Sequence, residues 1–522
     1  MLHEGSTREI SLQWWIGADD RWYEPELEIT SRQTLIRDLP IVSSSVRIPS
    51  GDAVATAFTT VQGPRELVVS ELENRSKVPF AAALVVSGPG AIDVALDGTT
   101  IRCGSRPIVH LPSVPQRVSA ASSLDAVRQE VFGGQARGSA EPFTGVGCIA
   151  VLFPVTHGTS IRVAAVLGAD APLALAAAPV LSALPRAHDL ANGWDTHLSR
   201  GAVFRSFPAA SSNLIPGPRS NPASYRTALA SLLLMAEPAA ADPATPIVVA
   251  AVMARALDSA GFPTEGAALL ERVLDVAGRK GSLTDSASNQ LVGHPAISTA
   301  LIADAVARHG ALTHNSVFAQ ALEPTLAGAI EFVLKSAKSS ADLEPYYVCL
   351  SLVPSFFRVA RDERAERQAH KILMRFGSAE LPRPQLPPIP ALSSGANFVP
   401  EEPLRLSELV RTHINAALQF SSSSVSLLTD LGEPDLGQPI DVRNLPTPWG
   451  RLSYALRWHG ERPALLWECN AIHDDQRADD LVLRAPLFGD WTATGAKGDA
   501  LLPPHSAGSN EARPDSAPRP TS

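Results

Sequence analysis

Cysteine is scarce: four in 522 residues, at Cys103, Cys148, Cys349 and Cys469, with no Cys-x-x-Cys pair. That spacing excludes a disulfide framework and a local zinc site, and the apolar neighbours predict buried thiols. Charge is also sparse. Asp, Glu, Lys and Arg make up 19% of the chain, and 44 basic against 53 acidic side chains leave a net charge of −9 with no basic block. Nucleic-acid binding needs clustered cations to displace counterions from phosphates, so no nucleic-acid partner is expected. Long apolar runs are missing as well. The best stretch, Leu173 to Leu184, is Ala-rich, broken by Pro179 and shorter than the ~20 residues of a spanning helix. The opening segment MLHEGSTREI has neither the basic nor the apolar region of a secretory signal. Both observations predict a cytoplasmic location and no membrane partner, and leave the sequon Asn74-Arg75-Ser76 without consequence.

Local chemistry motifs are absent too. There is no Gly-x-Gly-x-x-Gly after a strand, no Walker A loop, no His-Glu-x-x-His and no Gly-x-Ser-x-Gly elbow. The 13 His are dispersed, with no i, i+4 pair near a third ligand. No cofactor and no metal are expected. Asp474-Asp475 and Asp479-Asp480 form an acidic loop, for which a solvated surface is the plainer reading than a hard-cation site.

What is present is a folded composition, 45% hydrophobic, punctuated by 44 Pro and 35 Gly. Residues 8–183 read as a β-sandwich domain. Ile29–Leu39, Ala53–Thr60, Glu66–Leu72, Phe80–Ser87 and Ala91–Leu96 are β-rich runs between Gly, Pro, Asp and Asn turns. Gly147–Val155 and Ser160–Val166 have the pattern of a hairpin around His157-Gly158. Residues 184–222 predict a connecting helix (Leu184–Arg200) and a linker.

Residues 223–377 read as a helical domain of αα-hairpins. The predicted helices are Ser224–Ala236, Ile247–Ser259, Thr264–Ala277, Pro295–His309, Val317–Ser336, Leu343–Phe357 and Asp362–Phe376. A Pro-rich linker (378–402) follows. Residues 403–498 then predict a helix, Leu404–Phe420, a strand at Val425–Leu428, and a hairpin of Gly450–Trp458 with Arg462–Cys469. Residues 499–522 have a disordered composition. The fold class is thus multidomain α+β: an antiparallel sandwich, a helical-hairpin domain and a short C-terminal β segment.

Trp14-Trp15, near Trp22-Tyr23, and Trp449 and Trp458, near the C-terminal hairpin, are the candidate substrate-binding residues. Planar aromatic faces stack on the apolar faces of sugar rings, provided they are exposed rather than packed between domains.

Several segments carry a family resemblance. WDTHLSRGAVFRSFP (Trp194–Pro208) resembles a linker helix between sandwich and barrel. ARALDSAGFPTEGAALLERVL (Ala254–Leu274) resembles a barrel hairpin with a Gly-Phe corner. GHPAISTALIADAVARHG (Gly293–Gly310) is similar to the Gly-initiated helix that follows. PTPWGRLSYALRWHGERPALLWE (Pro446–Glu468) and LFGDWTATGAKGDALL (Leu487–Leu502) resemble the C-terminal β segment of actinobacterial members. In that order the chain resembles the bacterial six-hairpin glycosidase-like proteins, the glucoamylase-type (α/α) toroid group. The resemblance implies a sandwich joined to a helical toroid, and a saccharide partner. Two departures stand out: fewer helices than a closed toroid requires, and SLTDSASNQLVGHP (Ser282–Pro295) with Asp285 as its sole carboxylate where an acidic-aromatic stretch is usual.

Inverting glycosidases need one protonated and one ionised carboxyl group, roughly 6.5–9.5 Å apart. Asp285 and Glu344 are the candidate acid/base pair, with helix capping and surface roles as the alternatives. Asp242, Glu265, Glu323 and Asp342 are the other loop-like carboxylates, and Glu265 suits the positive end of a helix dipole. Glu271, Asp275, Asp304 and Glu331 read as solvated helix faces. The expectation is a reduced, non-catalytic glycosidase-like protein that binds a saccharide or partner. The alternatives are an active inverting glycoside hydrolase on a cytoplasmic glucan or oligosaccharide, and a scaffold offering a protein-binding surface.

Overall fold

The computed structural model describes residues 10–62, 65–88, 93–104, 106–138, 143–167, 181–208, 222–276, 281–337, 350–375, 401–421, 423–429, 437–460 and 462–504. The chain forms two compact units, one ending at Asp195 and one starting at Thr196.

The first unit is a sandwich of two antiparallel sheets. One sheet runs, edge to edge, Arg137–Gly138, Arg117–Ala121, Cys148–Val155, Phe80–Ser87, Ser11–Gly17, Trp22–Tyr23. The other runs Phe143–Val146, Asp93–Asp97, Thr100–Cys103, Arg106–His110, Ser160–Val166, Arg65–Asn74, Gly51–Gln62, Ile41–Ile48, Arg32–Leu35. Trp14, Ile16, Leu84, Val151 and Phe153 of the first sheet meet Ile101, Val109, Ile161 and Val163 of the second in one core. Helix α1 (Leu124–Phe132) covers the other face of the first sheet over Trp15, Val85, Ala150 and Leu152. With both faces covered, the strand Cys148–Val155 is apolar without alternation, because successive side chains enter one core or the other.

Two expectations for this unit need correction. Residues 147–155 and 160–166 are not a hairpin: the first strand pairs with Phe80–Ser87 and Arg117–Ala121, the second with Arg106–His110 and Arg65–Asn74. The turn at His157-Gly158 instead carries the chain from one sheet to the other, a choice of partner that alternation cannot reveal. Buried Asn74 pins this corner. Its Nδ2 donates to the Val78 and Val155 carbonyls (both 2.9 Å), and its Oδ1 accepts from the Ser76 N–H and hydroxyl (both 2.8 Å). The sequon asparagine is therefore a structural amide. Within Ile29–Leu39, the strand is only Arg32–Leu35, and a 3-10 turn follows in which Arg37 and Asp38 have positive φ (54° and 58°).

In the second unit, helix α2 (Ala187–Leu198), which spans the unit boundary, leads to α3 (Pro222–Ala241), α4 (Ile247–Ala260), α5 (Pro263–Leu270), α6 (Ser286–Val292) and α7 (Pro295–Thr313). Then come α8 (Ser316–Ala337), α9 (Val353–Ala360), α10 (Glu363–Arg375) and α11 (Glu401–Ala417). Helices α4 and α7 pack on each other at the centre. Around them lie α3, α5, α6 and α11 on the α4 side, and α5, α6, α8 and α9 on the α7 side. Every α4 side chain except Arg255 is buried, as an Ala- and Val-rich helix apolar on all sides requires. Helix α4 ends at Gly261 (φ 92°), whose N–H bonds the Asp258 carbonyl, and α5 starts directly after Phe262.

Helix α8 contains an 18-residue window of mean hydropathy 1.3, but Ala319, Leu322, Leu326, Ala329 and Val333 form a helical stripe, and the helix packs on α7 and α9. The expected helix Thr264–Ala277 becomes a 3-10 turn from Glu271 to Val276, and the first part of the expected helix Leu343–Phe357 lies outside the described residues.

Two further sheets complete the unit. One has the order Val203–Ser206, Ile440–Thr447, Gly450–His459, Arg462–Asn470, Lys497–Leu501; the other Leu418–Phe420, Val425–Leu427, Val482–Arg484, Thr492–Thr494. The hairpin expected around His459-Gly460-Glu461 is present, with His459 opposite Arg462 and Arg451 opposite Asn470. The segment Trp194–Pro208 is helical only to Leu198; Val203–Ser206 pairs with Ile440–Thr447, a partner far away in sequence.

Candidate functional site

Pro448-Trp449 forms the tip between the strands Ile440–Thr447 and Gly450–His459. The Thr447 hydroxyl donates to the Gly450 carbonyl (2.7 Å) and accepts from the Trp449 N–H (3.3 Å). Gly450 has φ 137°, and a Cβ there would lie 2.4 Å from the Asn470 carbonyl oxygen. Only glycine fits this turn, which leaves Trp449 half-buried at the tip.

A second wall comes from the loop after Asn470. The Oε1 of buried Gln476 accepts from the N–H groups of Ile472 (2.6 Å) and His473 (3.1 Å), which curls the loop carrying Asp474 and Asp475. The third wall is helical. His314 caps the end of α7 at φ 51°, a conformation His tolerates better than most residues. Its Nδ1 lies 3.0 Å from Asp475 Oδ2 and its Nε2 2.8 Å from the Pro448 carbonyl oxygen, while His473 stacks on it at 6.0 Å. Both hydrogen-bond partners are oxygen acceptors, so the ring ties the loop and the hairpin tip to the end of α7. Burial opposes charge on Asp475, but the His314 hydrogen bond and charge outweigh it and hold the carboxyl below its ordinary range.

These walls enclose a cavity of 950 Å3 whose lining includes Trp449, Asp474, Asp480, Arg358, Arg361 and Arg477. A second cavity, 730 Å3, shares His314, Ser316 and His473 with it and reaches Asp258 and His309. The two adjoin as one groove within the second unit, and each is of the size of small-molecule sites.

At its inner end, His309 Nδ1 sits 3.0 and 3.1 Å from the two oxygens of Asp258, linking α7 to α4. Both side chains are buried. Helix α5 makes room with Gly266, where a Cβ would stand 2.4 Å from Asp258 Oδ1. Burial raises the Asp258 carboxyl against the opposing charges of His309 and Arg308. Burial also disfavours the His309 imidazolium, but the charge and hydrogen bond of Asp258 prevail and raise it. Both directions favour keeping a proton within the pair. Beside it, Arg255 Nε lies 3.0 Å from Asp304, and burial lowers the Arg308 guanidinium to about 10. Asp304, expected on a solvated face, is 1% exposed: α7 has no solvated face at that point.

Asp285 lies elsewhere, as the N-cap of α6. Its Oδ1 accepts from the Ser288 N–H (2.6 Å) and its Oδ2 from the Ile247 N–H (3.2 Å) at the start of α4. Glu344 lies outside the described residues. Trp14 and Trp15 belong to the two cores of the sandwich unit; the Trp14 indole N–H donates to Ser70 Oγ (2.8 Å), and Trp15 meets Phe132 edge-on at 5.4 Å. Alternation sends them to opposite covered faces, so neither provides the exposed ring a sugar platform needs. Trp458 is half-buried, donates to the Gln438 carbonyl (3.1 Å) and packs near Phe488. Of the four, Trp449 lines the groove.

The sequence reading missed His314, His473, Gln476 and the Asp258–His309 pair. For the pair, the available signal was Asp258 and His309 within helices otherwise rich in Ala, Val, Leu and Ile, a pattern that places charge in a core. Among the described residues no three His, Cys, Asp or Glu side chains are placed to hold a metal ion.

No protein-family model matches the chain, and no curated protein matches it in sequence. A solved structure of a bacterial glucoamylase complexed with acarbose is similar at TM-score 0.42 and 11% identity, over 70% of this chain. The match spans 60% of the glucoamylase chain, less than two thirds of its length.

Proposed function

We propose that this protein is a reduced glycosidase-like protein whose groove binds an oligosaccharide without hydrolysing it. Trp449 carries the reading. A half-buried indole on a rigid hairpin tip, at the edge of a 950 Å3 cavity, offers a face for an apolar sugar face. Sugar hydroxyls both donate and accept, which suits a lining that offers carboxylate acceptors at Asp474 and Asp480 and guanidinium donors at Arg361 and Arg477.

Hydrolysis by inversion would require two carboxyl groups roughly 6.5–9.5 Å apart on opposite sides of the scissile bond. Among the described lining residues, the carboxyls of the larger cavity are Asp474, Asp475 and Asp480, all from one loop and with Asp475 engaged by His314, while Asp258 in the adjoining cavity is held by His309. Glycan-array binding and a panel of aryl glycosides test the proposal, with Trp449→Ala as the control. The expected result is binding that Trp449→Ala abolishes, and no turnover. Saccharide binding that ignores Trp449→Ala, or turnover by the parent protein, overturns it.

A further inference from the structure

We infer that the Asp258–His309 pair anchors a ligand hydroxyl at the inner end of the groove, with His309 Nε2 making the hydrogen bond and Asp258 positioning the ring. The inference rests on the saccharide reading and deepens it by naming a polar contact in the cavity adjoining that of Trp449.

Placing a carboxylate and an imidazole between the two most enclosed helices opposes stability, since desolvation costs several kcal/mol per ion and apolar residues of similar volume pack there without that penalty. The fold nevertheless accommodates them. Gly266 gives up a side chain so that α5 clears Asp258 Oδ1, and both Asp258 oxygens hold one nitrogen of His309. The ring is further fixed by Phe318, edge-on at 4.6 Å. With Nδ1 occupied, Nε2 is the remaining polar atom of the ring, and the ring's hydrogen bonds to described residues are both at Nδ1. Asp258 and His309 both line the 730 Å3 cavity, whose other polar lining residues include Thr264, Asn315, Ser316 and Arg451. A hydroxyl suits Nε2 in either protonation state, donating to the neutral ring and accepting from the protonated one.

The test uses the full chain with maltotriose, cellotriose and chitotriose as probes, and long-range nitrogen NMR of histidine-labelled protein. The Nε2 resonance of His309 is assigned by its loss in His309→Gln. We expect the trisaccharide that binds to shift that resonance, and His309→Gln to weaken its Kd about ten-fold, the equivalent of one hydrogen bond. Asp258→Asn removes one of the two acceptors that hold Nδ1, and should weaken binding of the same trisaccharide and shrink the Nε2 shift that it causes, a liganded-state readout that a purely structural role would not move. If a trisaccharide binds and Trp449→Ala abolishes this, yet the His309 resonance and the His309→Gln affinity are unchanged, the hydroxyl anchor is refuted and the groove reading stands. If no trisaccharide binds, the groove reading itself fails and takes the anchor with it.

Discussion

Replacing Asp285 with alanine should destabilise the helical part of the protein by about 2–4 kcal/mol, because one carboxylate caps two helices. Its Oδ1 is the N-cap acceptor of α6, an interaction worth about 1 kcal/mol. Its Oδ2 takes the N–H of Ile247, the first residue of α4, and the preceding Pro246 provides no side-chain cap. Ile247 is buried, so losing its acceptor leaves an orphaned donor at about 1–3 kcal/mol. Ser288, held by Asp285, in turn accepts from the Val248 N–H (3.0 Å), so the damage spreads along the first turn of α4. Asp285→Asn keeps one acceptor oxygen and should lose about half as much. Urea unfolding followed by circular dichroism measures both variants. Stability of Asp285→Ala within about 0.5 kcal/mol of the parent, the ordinary range for a surface substitution, would refute the capping account. So would hydrolytic turnover that Asp285→Asn removes while leaving stability intact, since that is the signature of an acid/base residue.

Three other outcomes follow from the same geometry. Gly266→Ala should cost about 1–3 kcal/mol, the usual penalty of overpacking, and the cost should shrink when combined with Asp258→Ala; equal costs in both backgrounds would show that Asp258 is not the obstacle. His413 is buried against Tyr225 and Phe204, neither ring nitrogen has a partner among the described residues, and burial lowers it from 6.5 to about 4. The unfolded chain therefore takes up this proton first as pH falls, and stability drops by about 3 kcal/mol between pH 6.5 and 4. His413→Phe should flatten that part of the pH profile and leave stability at pH 7 equal or higher; an unchanged slope excludes His413 as its source. Burial pushes the Cys148 thiol up to about 12 and Cys469 to about 11, so both should resist alkylation in the native state, which peptide mapping after brief iodoacetamide treatment checks.

Much of the architecture was legible because local periodicity reports burial. Phe80–Ser87 was read with its observed bounds, the 450–470 hairpin was recognised from alternation around a Gly turn, and the start of α4 at Ile247 follows from an apolar run after Pro246. Legibility ended where partners are distant. The strand Val203–Ser206 exists because Ile440–Thr447 lies beside it, and Trp14 and Trp15 are hidden because both faces of their sheet are covered. Ser160–Val166 has the pattern of a hairpin's return strand, yet its register is with Leu67–Glu73.

The amino-acid pattern alone determined the α+β class, the alternation of strands and the enclosed character of α4, since these depend on near neighbours and on the side-chain period. It also marked Trp449, near the C-terminal hairpin, as a candidate substrate-binding aromatic. Tertiary structure alone decided that this indole faces a cavity, that His314 bridges to Pro448 and Asp475, and that Asp258 meets His309. Those contacts join positions tens to more than a hundred residues apart, and folding brings them together through packing that no local pattern encodes.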